Sequence, residues 1–190
     1  MIVAFHKPYG VLCQFTPDLP GQRTLAEFGF SAGLYPVGRL DLDSEGLILL
    51  SDELGFNHRL LDPHAAHPRT YLAQVEGVPT LEALEKLRRG GIPIQNYRTR
   101  PCGAILLESA PSVPPREPPV RFRKAIPTSW LQLELTEGKN RQVRKMTAAM
   151  GFPTLRLIRS VIGRFSPTLT DGEWRALTHD EIKLLWQRVT

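Results

Sequence analysis

Cysteine is scarce in this sequence. Cys13 and Cys102 stand far apart with no C-x-x-C partner, which leaves no disulfide framework and no zinc pattern. His64 and His67 precede Pro68 and have no third ligand nearby, so no metal site is expected there. No apolar run approaches the ~20 residues that a bilayer span needs. The opening Met1-Ile2-Val3-Ala4-Phe5-His6-Lys7-Pro8 is too short and wrongly ordered for a secretory signal. The expected compartment is therefore the cytoplasm, with no membrane partner. Acids are missing from Gly138 to Thr170, a stretch that holds Lys139, Arg141, Arg144, Lys145, Arg156, Arg159 and Arg164. Arg116, Arg121, Arg123 and Lys124 lie just upstream, with only Glu117 among them. A solvated face usually interleaves acids with its bases, so both stretches read as a phosphate-binding surface.

The chain has 190 residues, 42% of them hydrophobic, enough for one large domain or two subdomains around a shared cleft. Ile2 to Phe5 reads as a strand, and the continuous apolar run Leu47 to Leu50 as a buried one. Tyr71 to Glu76, Ala104 to Glu108 and Leu155 to Ile162 are further strands. Trp130 to Leu135 alternates with period two, Leu131, Leu133 and Leu135 sharing a face. Thr80 caps a helix carrying Leu81, Leu84 and Leu87, closed by Gly90. Asn140 to Met150 reads as a helix with Val143, Met146 and Met150 as its core stripe. Thr178 and Glu181 form a capping box for a last helix that buries Ile182, Leu185, Trp186 and Val189. Residues 111 to 119 hold five prolines, so they form neither helix nor central strand. They are an extended loop, a binding loop or a spacer. Strands and helices mix without strict βαβ alternation, which argues an α+β fold with a mixed, mostly antiparallel sheet flanked by helices.

Three carboxylates and an arginine crowd the segment Gly38-Arg39-Leu40-Asp41-Leu42-Asp43-Ser44-Glu45-Gly46. Asp41-x-Asp43-x-Glu45-Gly46 matches the first half of a calcium loop, but Asp52 stands where the bidentate Glu belongs, and Pro36 lies where an entering helix is needed. A second reading makes the acids turn caps or ion-pair partners, and it is preferred for Asp43 and Glu45. If Val37 to Asp41 is extended, Arg39 and Asp41 share a face. That spacing alone does not establish chemistry.

Gly38-Arg39-Leu40-Asp41-x-x-Ser44-x-Gly46-Leu47-x-x-Leu50 resembles the central motif of the RNA pseudouridine synthases. Lys7-Pro8-x-Gly10 resembles their first motif, and Tyr71 sits where they have an aromatic residue. Gly138-Lys139-Asn140-Arg141-Gln142-Val143-Arg144-Lys145-Met146 resembles the third motif of the RsuA branch. Gly163 with Gly172-Glu173-Trp174-Arg175-x-Leu177 resembles its closing segment. Pro115-Arg116-x-Pro118-Pro119 and Ile126-Pro127-Thr128-Ser129-Trp130-Leu131 point to members acting on large-subunit rRNA. Arg69 stands where the family often has Lys. Most of the branch carries an N-terminal S4 domain; only six residues precede Lys7, so residues 1–190 are expected to be the catalytic domain alone.

The resemblance implies the pseudouridine synthase fold, two subdomains around a central catalytic cleft. It implies isomerisation of a uridine with no metal and no cofactor. Asp41 is then the nucleophile or base, and Arg144 its charge partner. A target inside folded RNA must be flipped out. Arg39 is placed to fill the vacated space, and Tyr71 to stack on the uracil or pack as an ordinary strand aromatic. Ile158 is assigned to the wall of the uracil pocket or to the core. Lys7, Lys139, Arg141, Lys145, Arg121, Arg123 and Lys124 are assigned to RNA. The expected partner is 23S rRNA or a large-subunit precursor particle, met by a monomer. The competing functions are a non-catalytic RNA-binding assembly factor and a base-releasing N-glycosylase.

Overall fold

The computed structural model describes residues 1–121 and 125–187, so Arg123, Lys124 and Val189 lie outside the described residues. In chain order the strands are β1 (Ile2–Lys7), β2 (Val11–Leu12), β3 (Arg23–Thr24), β4 (Tyr35–Val37), β5 (Glu45–Ser51), β6 (Arg69–Glu76), β7 (Pro93–Ile94), β8 (Tyr97–Arg98), β9 (Gly103–Leu106), β10 (Thr128–Leu135), β11 (Thr154–Ile162) and β12 (Trp174–Ala176). The α-helices among the described residues are α1 (Phe56–Leu61), α2 (Leu81–Arg89), α3 (Gln142–Ala149) and α4 (His179–Leu185). The fold is α+β. The chain forms two compact units, residues 1–67 with 159–190, and residues 68–158.

In the first unit β1 lies antiparallel between β5 and β12, with Lys7 opposite Gly46 and Phe5 opposite Trp174. β4 adds to β5, Val37 opposite Leu49. All seven residues of β5 are buried, which accounts for the continuous apolar run Leu47 to Leu50 at its centre. One face of β1 and β5 puts Ile2, Ala4, Leu47 and Leu49 into a core with Phe56, Leu60 and Leu185. On the other face of β1, Phe5 meets Phe28 at 4.7 Å and Phe30 at 5.1 Å between ring centroids. The Thr178–Glu181 capping box forms, and Arg175 grips both oxygens of the Glu181 carboxylate at 2.8 and 2.6 Å. Trp186, expected in the core, is 41% exposed and rests edge-on against Phe56 and His67.

In the second unit β10 lies antiparallel between β6 and β9, with Leu133 between Tyr71 and Ala104. Leu131, Leu133 and Leu135 do share the buried face and pack with Val143 and Met146 of α3 and Leu84 and Leu87 of α2. Leu81, expected on the core stripe of α2, is 77% exposed, and Ala83 is buried instead. Leu81 is the first helical residue, two positions ahead of the first buried one. The proline-rich segment is fastened to β11: Arg156 Nη2 donates to the Pro114 carbonyl at 2.7 Å, and Arg116 donates to the carbonyls of Pro118 and Pro119.

Candidate active site

The acid cluster is built by loops of the first unit. β4 ends at Val37 because Gly38 takes φ +75°, so the expected extended run to Asp41 does not form. Burial still alternates: Leu40 is buried between an exposed Arg39 and a half-buried Asp41. Asp41 opens a tight turn in which its carbonyl accepts from Ser44 N at 3.0 Å.

The backbone is held on both sides of Asp41. Leu40 N donates to the Cys13 thiol at 3.2 Å, and the Leu42 carbonyl accepts from Gly10 N at 2.9 Å. The clamps flank β2: Gly10 lies in the loop between β1 and β2, and Cys13 directly follows β2. The loop between β1 and β2 is tied down by Lys7, whose Nζ donates to the carbonyls of Pro8 at 2.9 Å and Val11 at 2.8 Å. One main-chain bond from Gly10 and one thiol acceptor from Cys13 thus hold the residues on either side of Asp41, which fixes where its carboxylate begins.

Lys7 itself is fully buried. The expectation that it contacts RNA phosphate is corrected: its ammonium lies inside the protein, on protein carbonyls. Burial lowers its pKa to about 8, against the opposing pull of Cys13, Glu45, Asp43 and Asp41. Glu45, expected as a turn cap or ion-pair partner, is also fully buried, at the head of a strand with no exposed residue. Burial pushes the Cys13 thiol up, so it stays protonated. Arg159 adds a second buried cation to this unit. Its Nε donates to the Leu47 carbonyl at 2.7 Å, and its Nη2 makes no hydrogen bond among the described residues.

The second unit carries the other candidates. Tyr71 is half-buried on β6 against the core, and Ile158 on β11 is buried. Arg144 is half-buried on α3, and its Nη1 reaches the Thr154 carbonyl at 3.4 Å. Thr147 and Thr154 join hydroxyls at 2.7 Å beside it, fixing α3 to the start of β11. Arg141 is exposed at the N-cap with φ +51°, and Lys139 and Arg121 are exposed too. Arg156 is only 5% exposed and structural, so the acid-free run is not one continuous phosphate surface. Sequence reasoning passed over Gly10, Cys13 and Arg159 as parts of the site. Cys13 lies 27 residues from Leu40, and nothing local marks the pair.

A family model described as RNA pseudouridylate synthase matches residues 1–149, and the chain belongs to that family. It is 53% identical over 164 residues to the ribosomal large subunit pseudouridine synthase E of Xanthomonas axonopodis pv. citri, covering 86% of each chain. To the protein of the same name from Xanthomonas campestris pv. campestris it is 51% identical over 177 residues, covering 92% of this chain and 94% of that one. A crystal structure of a pseudouridylate synthase is similar with a TM-score of 0.79 and 26% identity, covering 97% of this chain and 73% of the other.

Proposed function

We propose that this protein converts a uridine of large-subunit rRNA to pseudouridine and that Asp41 starts the reaction. The observation that carries the proposal is the Asp41 turn, clamped at Leu40 and Leu42, in a chain so similar to enzymes named for large-subunit rRNA. The reaction breaks the bond from N1 of the base to C1′ of the ribose, turns the base, and joins C5 to C1′. The C5 proton leaves to water. A half-buried carboxylate on a rigid turn suits either attack on the sugar or removal of a sugar proton. In the same reading Arg144 balances the negative charge of the reaction, Tyr71 stacks on the uracil, and Arg39 occupies the space that the flipped base leaves. Ile158 belongs to the uracil wall. Arg121, Lys139, Arg141 and Lys145 hold RNA. Ribosomal RNA, naked or in a precursor particle, is a cytoplasmic substrate, and the reading carries the chain there as a monomer.

The test uses rRNA tritiated at uracil C5. The protein is expected to release tritium to water and keep the base attached, while Asp41→Asn releases it at least ~10⁴-fold more slowly with RNA binding retained. Free uracil in the supernatant would mean an N-glycosylase. Binding with neither product would mean an assembly factor. Wild-type tritium release by Asp41→Asn would refute the role given to Asp41.

A further inference from the structure

The second unit contains a concavity of about 720 Å³ that the central motif does not reach in sequence. Its lining comes from two places. The hairpin of β7 and β8 supplies Ile94, Gln95, Asn96 and Tyr97, the turn before α3 supplies Lys139 and Asn140, and α3 itself supplies Lys145. It therefore holds two ammonium groups, three carboxamides and a phenol, and no carboxylate.

The nearby carboxylate is already occupied. Glu137 accepts from the Tyr97 hydroxyl, from Arg100 N at 2.9 Å, and from the Gln142 amide. Gln142 in turn accepts from Lys139 N at 2.9 Å, so the lysine's backbone is set by the same buried network. The Lys139 ammonium lies 4.5 Å from the centre of the Tyr97 ring. Lys145 Nζ donates to Gln95 Oε1 at 3.0 Å and to Asn140 Oδ1 at 3.4 Å. Neither lysine has a carboxylate partner among the described residues. Two uncompensated cations in one concavity call for an anion.

The hairpin adds a second observation. Its two central residues are Gln95 and Asn96, and Gln95 takes φ +54°. A two-residue hairpin turn with positive φ at that position is normally given to glycine. Glutamine there is strained, and it delivers a carboxamide to Lys145. Carboxamides offer a donor and an acceptor side by side, the pattern that pairs with base edges. Lysines offer point charges for phosphate.

We propose that this concavity holds an unpaired nucleotide of the RNA substrate other than the target uridine. Its phosphate lies on Lys139 and Lys145, and its base edge on the carboxamides of Gln95, Asn96 and Asn140. The site deepens the proposed function and rests on it, because it selects RNA by an exposed base as well as by charge. Sequence-specific RNA recognition targets such unstacked bases.

The experiment measures equilibrium binding of an in vitro transcript of bacterial large-subunit rRNA across a KCl series, with tritium release on the same transcript. Lys139→Gln with Lys145→Gln is expected to weaken binding at least tenfold at about 0.1 M salt and to flatten the salt dependence by about one unit per lysine. KM should rise by a similar factor and kcat should fall much less. Gln95→Gly and Asn96→Ala are expected to weaken binding about three- to tenfold with an unchanged salt slope, because they touch a base and not a phosphate. Gln95→Gly should not lower the thermal midpoint, since glycine accepts the turn, so its loss of affinity is not a loss of fold. An unchanged salt slope in the lysine pair overturns the proposal and leaves the concavity to an acidic protein surface. Wild-type affinity in both carboxamide variants overturns it too, by reducing the site to bare charge. If the wild-type protein releases no tritium while the slopes shift as stated, the proposed function fails and the nucleotide site stands.

Discussion

Lysine is used in opposite ways by the two units. In the first, Lys7 is wholly buried and its ammonium ends on the carbonyls of Pro8 and Val11. In the second, Lys139 is exposed and lies over a tyrosine ring at the edge of a concavity with no acid in it. Taking a charge out of water costs several kcal/mol, so a buried cation must be engaged by the protein that buries it and has little left for a ligand. A cation left in water carries no such cost and keeps its donors for a ligand. Both lysines sit in sequence motifs of the same family, and their burial separates a part that shapes the Asp41 loop from a part that the proposed function gives to RNA.

Arg144 offers the largest test of that division, because it shares α3 with exposed Arg141 at its cap and is itself half-buried with Nη1 on the Thr154 carbonyl. If it serves the reaction, Arg144→Ala lowers kcat by about 10²–10³-fold, the usual cost of losing a group that stabilises reaction charge. Arg141→Ala acts mainly on RNA affinity. Single-turnover rates at saturating rRNA separate the two. Equal losses of affinity with unchanged rate in both variants would return Arg144 to the phosphate surface.

Lys7 comes next. Unfolded, it keeps its proton up to about pH 10.5; folded, burial brings the pKa to about 8. Between those values the unfolded chain binds more protons, so stability rises with pH, by roughly 3 kcal/mol over the window. The penalty is fully present below about pH 8 and gone above about 10.5. Denaturant midpoints of wild type and Lys7→Met, compared from pH 7 to 10.5, are expected to converge on a difference curve with that rise. At pH 7 the variant loses the penalty together with two hydrogen bonds, terms of opposite sign and similar size. Its stability therefore changes little, while its turnover falls about 10- to 100-fold as the loop that grips Leu42 loosens. A flat difference curve between wild type and Lys7→Met would refute the buried charge assigned to Lys7.

Much of the fold was legible in the chain. The unbroken run in β5, the alternation of Leu131, Leu133 and Leu135, and the Thr178–Glu181 box each report a local period or cap. The burial of Lys7, Glu45, Arg156 and Arg159 was not. A charge in a sequence reads as solvated unless its partner is known: Arg156 and Arg159 end on carbonyls 42 and 112 residues away, and Lys7 on carbonyls of its own loop that only the folded turn brings to it. The strand end at Gly38 was missed for a related reason. Glycine permits positive φ without requiring it, so the turn shows only in the backbone. The carboxamide hairpin left no pattern at all, because its meaning lies in what α3 brings beside it.

Cys13 gives the smallest effect and the finest test. Its thiol accepts from Leu40 N, one residue before Asp41, and burial keeps it protonated. Valine at this position preserves the packing and removes the acceptor. A buried N–H left without a partner costs about 1–3 kcal/mol, and a thiol acceptor is weak, so the loss falls near the lower end. Cys13→Val is expected to speed amide exchange at Leu40 and to lower kcat several-fold with KM nearly unchanged, because the basic residues of the second unit are untouched. Cys13→Ser restores an acceptor and recovers most of both. The pair of variants distinguishes the thiol's hydrogen bond from its bulk: if valine and serine exchange and turn over alike, the Asp41 turn is held by Gly10 alone.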